Sequence, residues 1–268
     1  MTRDPWEVLV AETMLAQTQV GRVAGRFREF TARFPTPASC ADATVGEVVR
    51  AWVGLGYNRR ALALHSAAEA IVRDHDGRVP ATLADLEALA GVGPYTARAV
   101  LAFAFNADVT AVDTNVGRVL ARAGLGRQIR PGEVQALADR LVPVGSAREW
   151  NLALMDFGSL VCTSRQPACA RCPVRAAGAC VWRSGETDGP DPAAGSARVT
   201  SRPPRFEGSD RQGRGRLVRA ACAGPIARRD VVRVAGWPRQ TARTRRVADA
   251  LVAEGILVRG PSGELSLA

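Results

Sequence analysis

The 268-residue sequence contains no lysine, so all 36 of its basic residues are arginine. Without a lysine amine no side chain can form a Schiff base, and any chemistry at a sugar or carbonyl carbon must do without one. Aromatic residues make up 5 % of the chain, and Ala, Leu, Val, Arg and Gly dominate, a balance that favours a helical protein. There is no secretory leader and no apolar run long enough to span a membrane, so a cytosolic location is expected. Strand alternation is missing from the first two thirds of the chain, and no internal repeat is visible.

What is present is positive charge. The net charge is +10, and a chain this basic usually meets a polyanion, with nucleic acid the first candidate. The planar fork of arginine suits phosphate. A basic surface without a specific partner is the competing explanation.

From Pro5 onward the chain reads as short amphipathic helices separated by Gly, Pro and Asp. Beyond a first helix beginning at Pro5, capped by Asp4, helices are predicted over 22–33, 45–52, 59–74, 83–90, 94–105, 115–123, 131–141 and 150–160. These belong to a domain over 1–183. Residues 184–204, rich in Gly, Ser, Pro and Asp, read as a flexible linker. Residues 205–268 hold 13 Arg against 6 acids. Their pattern predicts helices over 211–221, 227–235 and 240–254, then short strands over 256–258 and 264–267, the order of a winged helix.

Four of the six cysteines, Cys162, Cys169, Cys172 and Cys180, fall within nineteen positions with spacing Cys-x6-Cys-x2-Cys-x7-Cys. Thiolates this dense in a cytosolic chain imply a metal centre rather than disulfides. Zinc is the simpler occupant, although zinc ribbons usually use two Cys-x2-Cys pairs. Cys40 and Cys222 stand alone and read as buried thiols.

Two further segments carry chemistry. Gly91-Val-Gly93-Pro-Tyr95-Thr96 makes a tight turn ahead of a helix start, a geometry that grips phosphate through backbone N–H groups. Asp113, twenty residues beyond Gly93, precedes Asn115 and could simply cap that helix. Glu12 lies on the apolar stripe formed by Val8, Ala11 and Leu15. A carboxyl there is costly to ionise, so its pKa is expected to rise toward that of a general acid.

Glu12-Thr-Met-Leu-Ala-Gln17-Thr18, Gly54-Leu-Gly56-Tyr57, the glycine turn with Asp113, Met155-Asp-Phe-Gly158 and the cysteine loop occur in one order over about residues 4–183. That order resembles the helix-hairpin-helix, iron–sulfur DNA glycosylases of the endonuclease III superfamily, and within them the adenine branch. The resemblance implies a mainly α, two-lobed fold with a 4Fe-4S cluster held by Cys162, Cys169, Cys172 and Cys180. The partner implied is double-stranded DNA carrying a mismatched or damaged base, bound by a monomer. Glu12 would protonate the flipped adenine, Asp113 would stabilise the oxocarbenium-like sugar, and Asn115 would orient Glu12 or the water. Gln17, Thr18 and Tyr57 would fill or wedge the stack, while Gly91, Gly93, Tyr95 and Thr96 would hold DNA or line the pocket.

Endonuclease III places a lysine nucleophile just after the hairpin, where this chain has Tyr95, so the implied enzyme is monofunctional. Four departures stand out. Two extra residues precede Cys180, with 175–178 expected to loop out. Ala16 replaces a Gln of the motif. The family's N-terminal helix ending in Trp-Arg has no match, so an upstream start or an incomplete pocket is expected. The tail also differs from the family's usual 8-oxoguanine-reading domain. The alternatives are a thymine or uracil mismatch glycosylase of the same superfamily, a non-catalytic iron–sulfur DNA-binding regulator, and a zinc-stabilised structural protein.

Overall fold

Helix boundaries follow caps and prolines. The structure, a computed structural model, describes residues 2–183, 189–196 and 205–268. They divide into two compact units, one gathering the described residues of 1–5 and 93–202, the other those of 6–92 and 203–268.

In the second of these, helix Pro5–Leu15 is apolar on nearly every side and buries Val8, Leu9, Val10 and Met14 together with Glu12. Val20–Arg33 is amphipathic and packs Phe30 edge-on against Phe34 and Trp52. Thr36 and Ser39 form a capping box that starts Pro37–Ala41, a helix the periodicity does not predict because it lasts barely one turn. Thr44 and Glu47 form a second box at the head of Val45–Trp52. Arg59–Asp74 and Leu83–Ala88 follow, the latter ending two residues before the predicted boundary.

The tail contributes helices Asp210–Ala223, Val231–Ala235 and Thr241–Ala253, then an antiparallel pair, Leu257–Arg259 with Leu265–Leu267. Leu257 faces Leu267, and Ile226 bridges to Leu265. Leu217, Leu251, Ile256, Leu257 and Leu265 form its fully buried core. The tail also packs on the rest of its unit: a Cβ on Gly46 would run into the Ala268 carbonyl.

The other unit holds Pro94–Phe105, Thr114–Val119 continuing as a π turn over Leu120–Leu125, Pro131–Leu141 and Ala147–Leu160. Val112, Val116, Leu120, Ile129, Val134 and Leu137 form its core. Asn151, fully buried, accepts from the Ala111 N–H at 2.8 Å and donates to Val109 and Ala147 carbonyls. Residues 175–178 do not loop out. Pro173–Ala176 is a helical turn, closed by Gly178 at φ 68°, because Pro173 suits the first helical position and Gly tolerates the left-handed exit.

Of the expected linker, 184–188 and 197–204 lie outside the described residues. Within 189–196, Pro192, Ala193 and Ser196 are buried, and Ser196 Oγ accepts from the Ile129 N–H at 3.1 Å. No helix among the described residues is long and apolar enough to cross a membrane.

Candidate active site and cysteine loop

Glu12 is 6 % exposed, so the helix buries the carboxyl that the sequence pattern singles out. The helix ends at Leu15, and the chain turns through Gln17, which adopts φ 58°. Tyr57 adopts φ 49°, after Gly54 and Gly56, both also at positive φ. Left-handed backbone at two bulky non-glycine residues costs about 1–2 kcal/mol each. Such strain persists only where the surroundings over-determine it.

Arg60 provides that constraint. Its Nη1 donates to the carbonyls of Thr13 (2.7 Å), Met14 (3.1 Å) and Ala16 (2.5 Å), the open end of the Glu12 helix. Its Nη2 donates to Thr18 Oγ1 at 3.1 Å and to the Gly56 carbonyl at 3.3 Å. The guanidinium lies over the Trp52 and Tyr57 rings, and burial lowers its pKa from the ordinary arginine value. One side chain thus ties the Gln17 turn to the Tyr57 turn, leaving Gln17 and Tyr57 exposed on the same cleft.

The glycine turn has two local reasons. Gly91 sits at φ 74°, and a Cβ there would lie 2.6 Å from Ala63 Cβ. Gly93 is the N-cap of Pro94–Phe105, no side chain caps that start, and the first bond runs from the Ala97 N–H to the Gly93 carbonyl at 2.9 Å. Tyr95 and Thr96 lie half-buried in that opening turn.

Asp113 does cap the next helix. Oδ1 accepts from the Asn115 and Val116 N–H groups at 2.8 and 2.7 Å, and Oδ2 accepts from Asn115 Nδ2 at 2.9 Å. Asn115 Oδ1 in turn accepts from Arg118 Nη2 at 2.8 Å. Arg118 is buried and donates further to the carbonyls of Gly158 (2.5 Å) and Cys162 (2.7 Å). Gly158 permits this approach, because a Cβ there would lie 2.7 Å from Asn115 Cβ. A continuous polar path therefore runs from Asp113 to the first cysteine of the loop.

Cys162, Cys169, Cys172 and Cys180 line one cavity, walled by Phe157, Val161, Pro167 and Trp182. Arg122, 1 % exposed, donates to Cys162 Sγ at 3.5 Å and to the Thr163 and Ser164 carbonyls, and pairs with both oxygens of Asp191. Burial pushes the Cys162 thiol up, opposed by Arg122 and Arg118. Among the described residues, no three His, Cys, Asp or Glu converge on the position of a single metal ion. Four thiols around one apolar cavity are a donor set that could hold an iron–sulfur cluster. Trp182 Nε1, buried beside that cavity without an acceptor, fits a group carrying sulfur acceptors.

Arg60, Arg118, Arg122 and Asp191 were not anticipated. Arg118 and Arg122 stand four apart on one helical face, a spacing that could have flagged a shared target.

Residues 10–144 match the model of the HhH-GPD superfamily base excision DNA repair protein. The chain is 40 % identical to an adenine DNA glycosylase of Mycobacterium tuberculosis over 98 % of its own length and 85 % of the relative. Identity is also 40 % with the adenine DNA glycosylase of Mycolicibacterium smegmatis, over 98 % and 87 %. A thymine/uracil-DNA glycosylase of Pyrobaculum aerophilum is 38 % identical over 64 % of this chain and 78 % of that one. Among solved structures, a thermostable thymine-DNA glycosylase superposes with TM-score 0.64 at 32 % identity, covering 68 % of this chain and 85 % of that one. A non-covalent endonuclease III–DNA complex gives 0.59 at 26 % identity, covering 68 % and 86 %.

Proposed function

The chain belongs to the HhH-GPD superfamily of base excision DNA repair proteins, and from that premise we propose that it is a monofunctional DNA glycosylase that hydrolyses the N-glycosidic bond of adenine mispaired with guanine or 8-oxoguanine. The observation that carries the reading is 40 % identity to adenine DNA glycosylases along 98 % of the chain. The buried carboxyl of Glu12 inside the adenine-branch motif supports it. The partner is duplex DNA, bound by a monomer in the bacterial cytosol.

Glu12 protonates the flipped adenine at N7, which makes the base a neutral leaving group, and then takes a proton from the attacking water. The Asp113 carboxylate lowers the energy of the positive charge that develops on the sugar. Asn115 orients the reacting groups. Gln17, Thr18 and Tyr57 occupy the stack around the vacated position, and the turn at Gly91 and Gly93, with Tyr95 and Thr96, holds backbone phosphate. No lysine exists to trap the sugar, so the strand is left unbroken.

Cys162, Cys169, Cys172 and Cys180 would hold a 4Fe-4S cluster. When bound, it supplies four iron–thiolate bonds that tie the loop into one rigid piece. The same proposal keeps a glycosylase domain over 1–183, a linker over 184–204 and a basic winged-helix-like domain over 205–268.

The test is strand cleavage, after alkali, of duplexes carrying A opposite 8-oxoguanine, A opposite G, T opposite G and U opposite G. Cleavage confined to the adenine strand is expected. Cleavage at T or U would move the substrate to the second reading, which the Pyrobaculum relative favours. Binding without any base release would replace both readings with that of a DNA-binding regulator.

A further inference from the structure

The cleft that holds Gln17 and Tyr57 is completed by the tail. Helix Asp210–Ala223 lines it with Arg211, Arg214 and Gly215, opposite Arg59 and Arg60. Arg211 Nη1 donates to the Tyr57 hydroxyl at 2.6 Å, and its guanidinium lies 5.8 Å from the Tyr57 ring centroid. Arg59 and Arg214 share one carboxylate, that of Glu254. Arg59, Arg60, Arg211 and Arg214 thus line one cleft around an exposed tyrosine held in strained backbone, and Glu254 pairs with two of them.

Arginines gathered along one cleft raise its positive potential, which favours an anion entering it. Phosphodiester oxygens are the anion whose geometry the arginine fork matches. From this we propose that Arg211 and Arg214 form a phosphodiester-binding site beside Tyr57, so that the C-terminal module grips the DNA backbone at the wedged step. The inference rests on Tyr57 being the DNA wedge. In the DNA-free molecule Arg211 donates to the Tyr57 hydroxyl, and on binding that donor passes to a phosphate as the ring enters the stack.

The full-length protein is titrated with labelled duplexes (A opposite G, A opposite 8-oxoguanine, and fully matched) across a NaCl series. Arg211→Ala should weaken binding about 3- to 10-fold on every duplex and reduce the slope of log K against log salt by about one. Arg211→Ala with Arg214→Ala should reduce it by about two. Arg229→Ala, at a 90 % exposed side chain outside the cleft, should leave the slope unchanged. An unchanged melting temperature guards against misfolding in the Arg211 variant, and an unchanged far-UV circular dichroism spectrum does so in the double variant, which also gives up the Arg214–Glu254 pair. An unchanged slope in the Arg211 variant, or an equal drop for Arg229→Ala, would overturn the site. A loss confined to one opposite base would also overturn it, in favour of base-edge contact. Wild-type binding without base release would defeat the glycosylase reading while leaving this measurement intact.

Discussion

Glu12 and Asp113 meet water differently: one carboxyl is buried on an apolar helix, the other half-exposed and satisfied by two backbone N–H groups. That contrast is how one protein can assign two acids two tasks. Glu12→Gln should lower single-turnover adenine release at least about 10²-fold with duplex affinity kept within a few-fold, since general acid catalysis is worth that much or more. Asp113→Asn should do the same and still fold, because Asn caps a helix about as well as Asp. Asp113→Ala should instead lose about 1 kcal/mol of stability as well as activity. Turnover near the wild-type rate in either isosteric variant would remove the catalytic assignment.

Elements meet through single residues that leave little tolerance. Helices Thr114–Val119 and Ala147–Leu160 touch at Gly158, where a methyl group would lie 2.7 Å from Asn115 Cβ. Gly158→Ala should cost about 1–3 kcal/mol by thermal or denaturant unfolding, since a packed contact cannot absorb an added carbon freely. It should also slow base release by displacing Asn115; a fully stable, fully active variant would mean that the two helices can part.

In the other unit, Glu254 joins helix Thr241–Ala253 to Arg214 and Arg59. Burial works to raise its pKa, but hydrogen bonds from Arg59 and Arg214 outweigh that and hold the carboxyl below its usual range. A carboxylate depressed in this way stabilises the fold above its unfolded value of about 4.3, and the gain disappears as pH falls through the folded value. The melting-temperature gap between wild type and Glu254→Gln should therefore be widest near neutrality and close in acid. A gap independent of pH would assign the effect to packing.

At the scale of the whole molecule, a net charge of +10 built from arginine alone suits a surface that slides on phosphate and releases counterions. The cysteine loop predicts a visible property: the purified protein should absorb near 400 nm, about where iron–sulfur thiolate charge transfer falls. The band should vanish when Cys169 or Cys172 is replaced by Ala. A colourless protein containing one equivalent of zinc would return the loop to the simpler metal. Deleting 205–268 would strip packing from the remaining unit as well as charge, since the Ala268 carbonyl sits against Gly46. Point variants therefore separate binding from folding where a truncation cannot.

Most of the secondary structure was legible in the sequence. Asp4-Pro5, Pro94, Pro131 and the glycines act through local backbone geometry that needs no partner, so helix positions follow from them directly. The motifs around Glu12, Tyr57, Asp113 and the four cysteines were legible as a family resemblance because they occur in one fixed order along the chain, and the family match bears that resemblance out. Tertiary structure alone decided which arginines matter. Thirty-six identical side chains carry no label, and only folding brings Arg60 to three helix-end carbonyls and Arg118 between Asn115 and Cys162. It likewise brings Arg211 to the Tyr57 hydroxyl. Asp191 shows the same limit. Composition marks its segment as linker, yet it closes on Arg122 across 69 positions, because a buried guanidinium requires a counter-charge wherever the chain can deliver one.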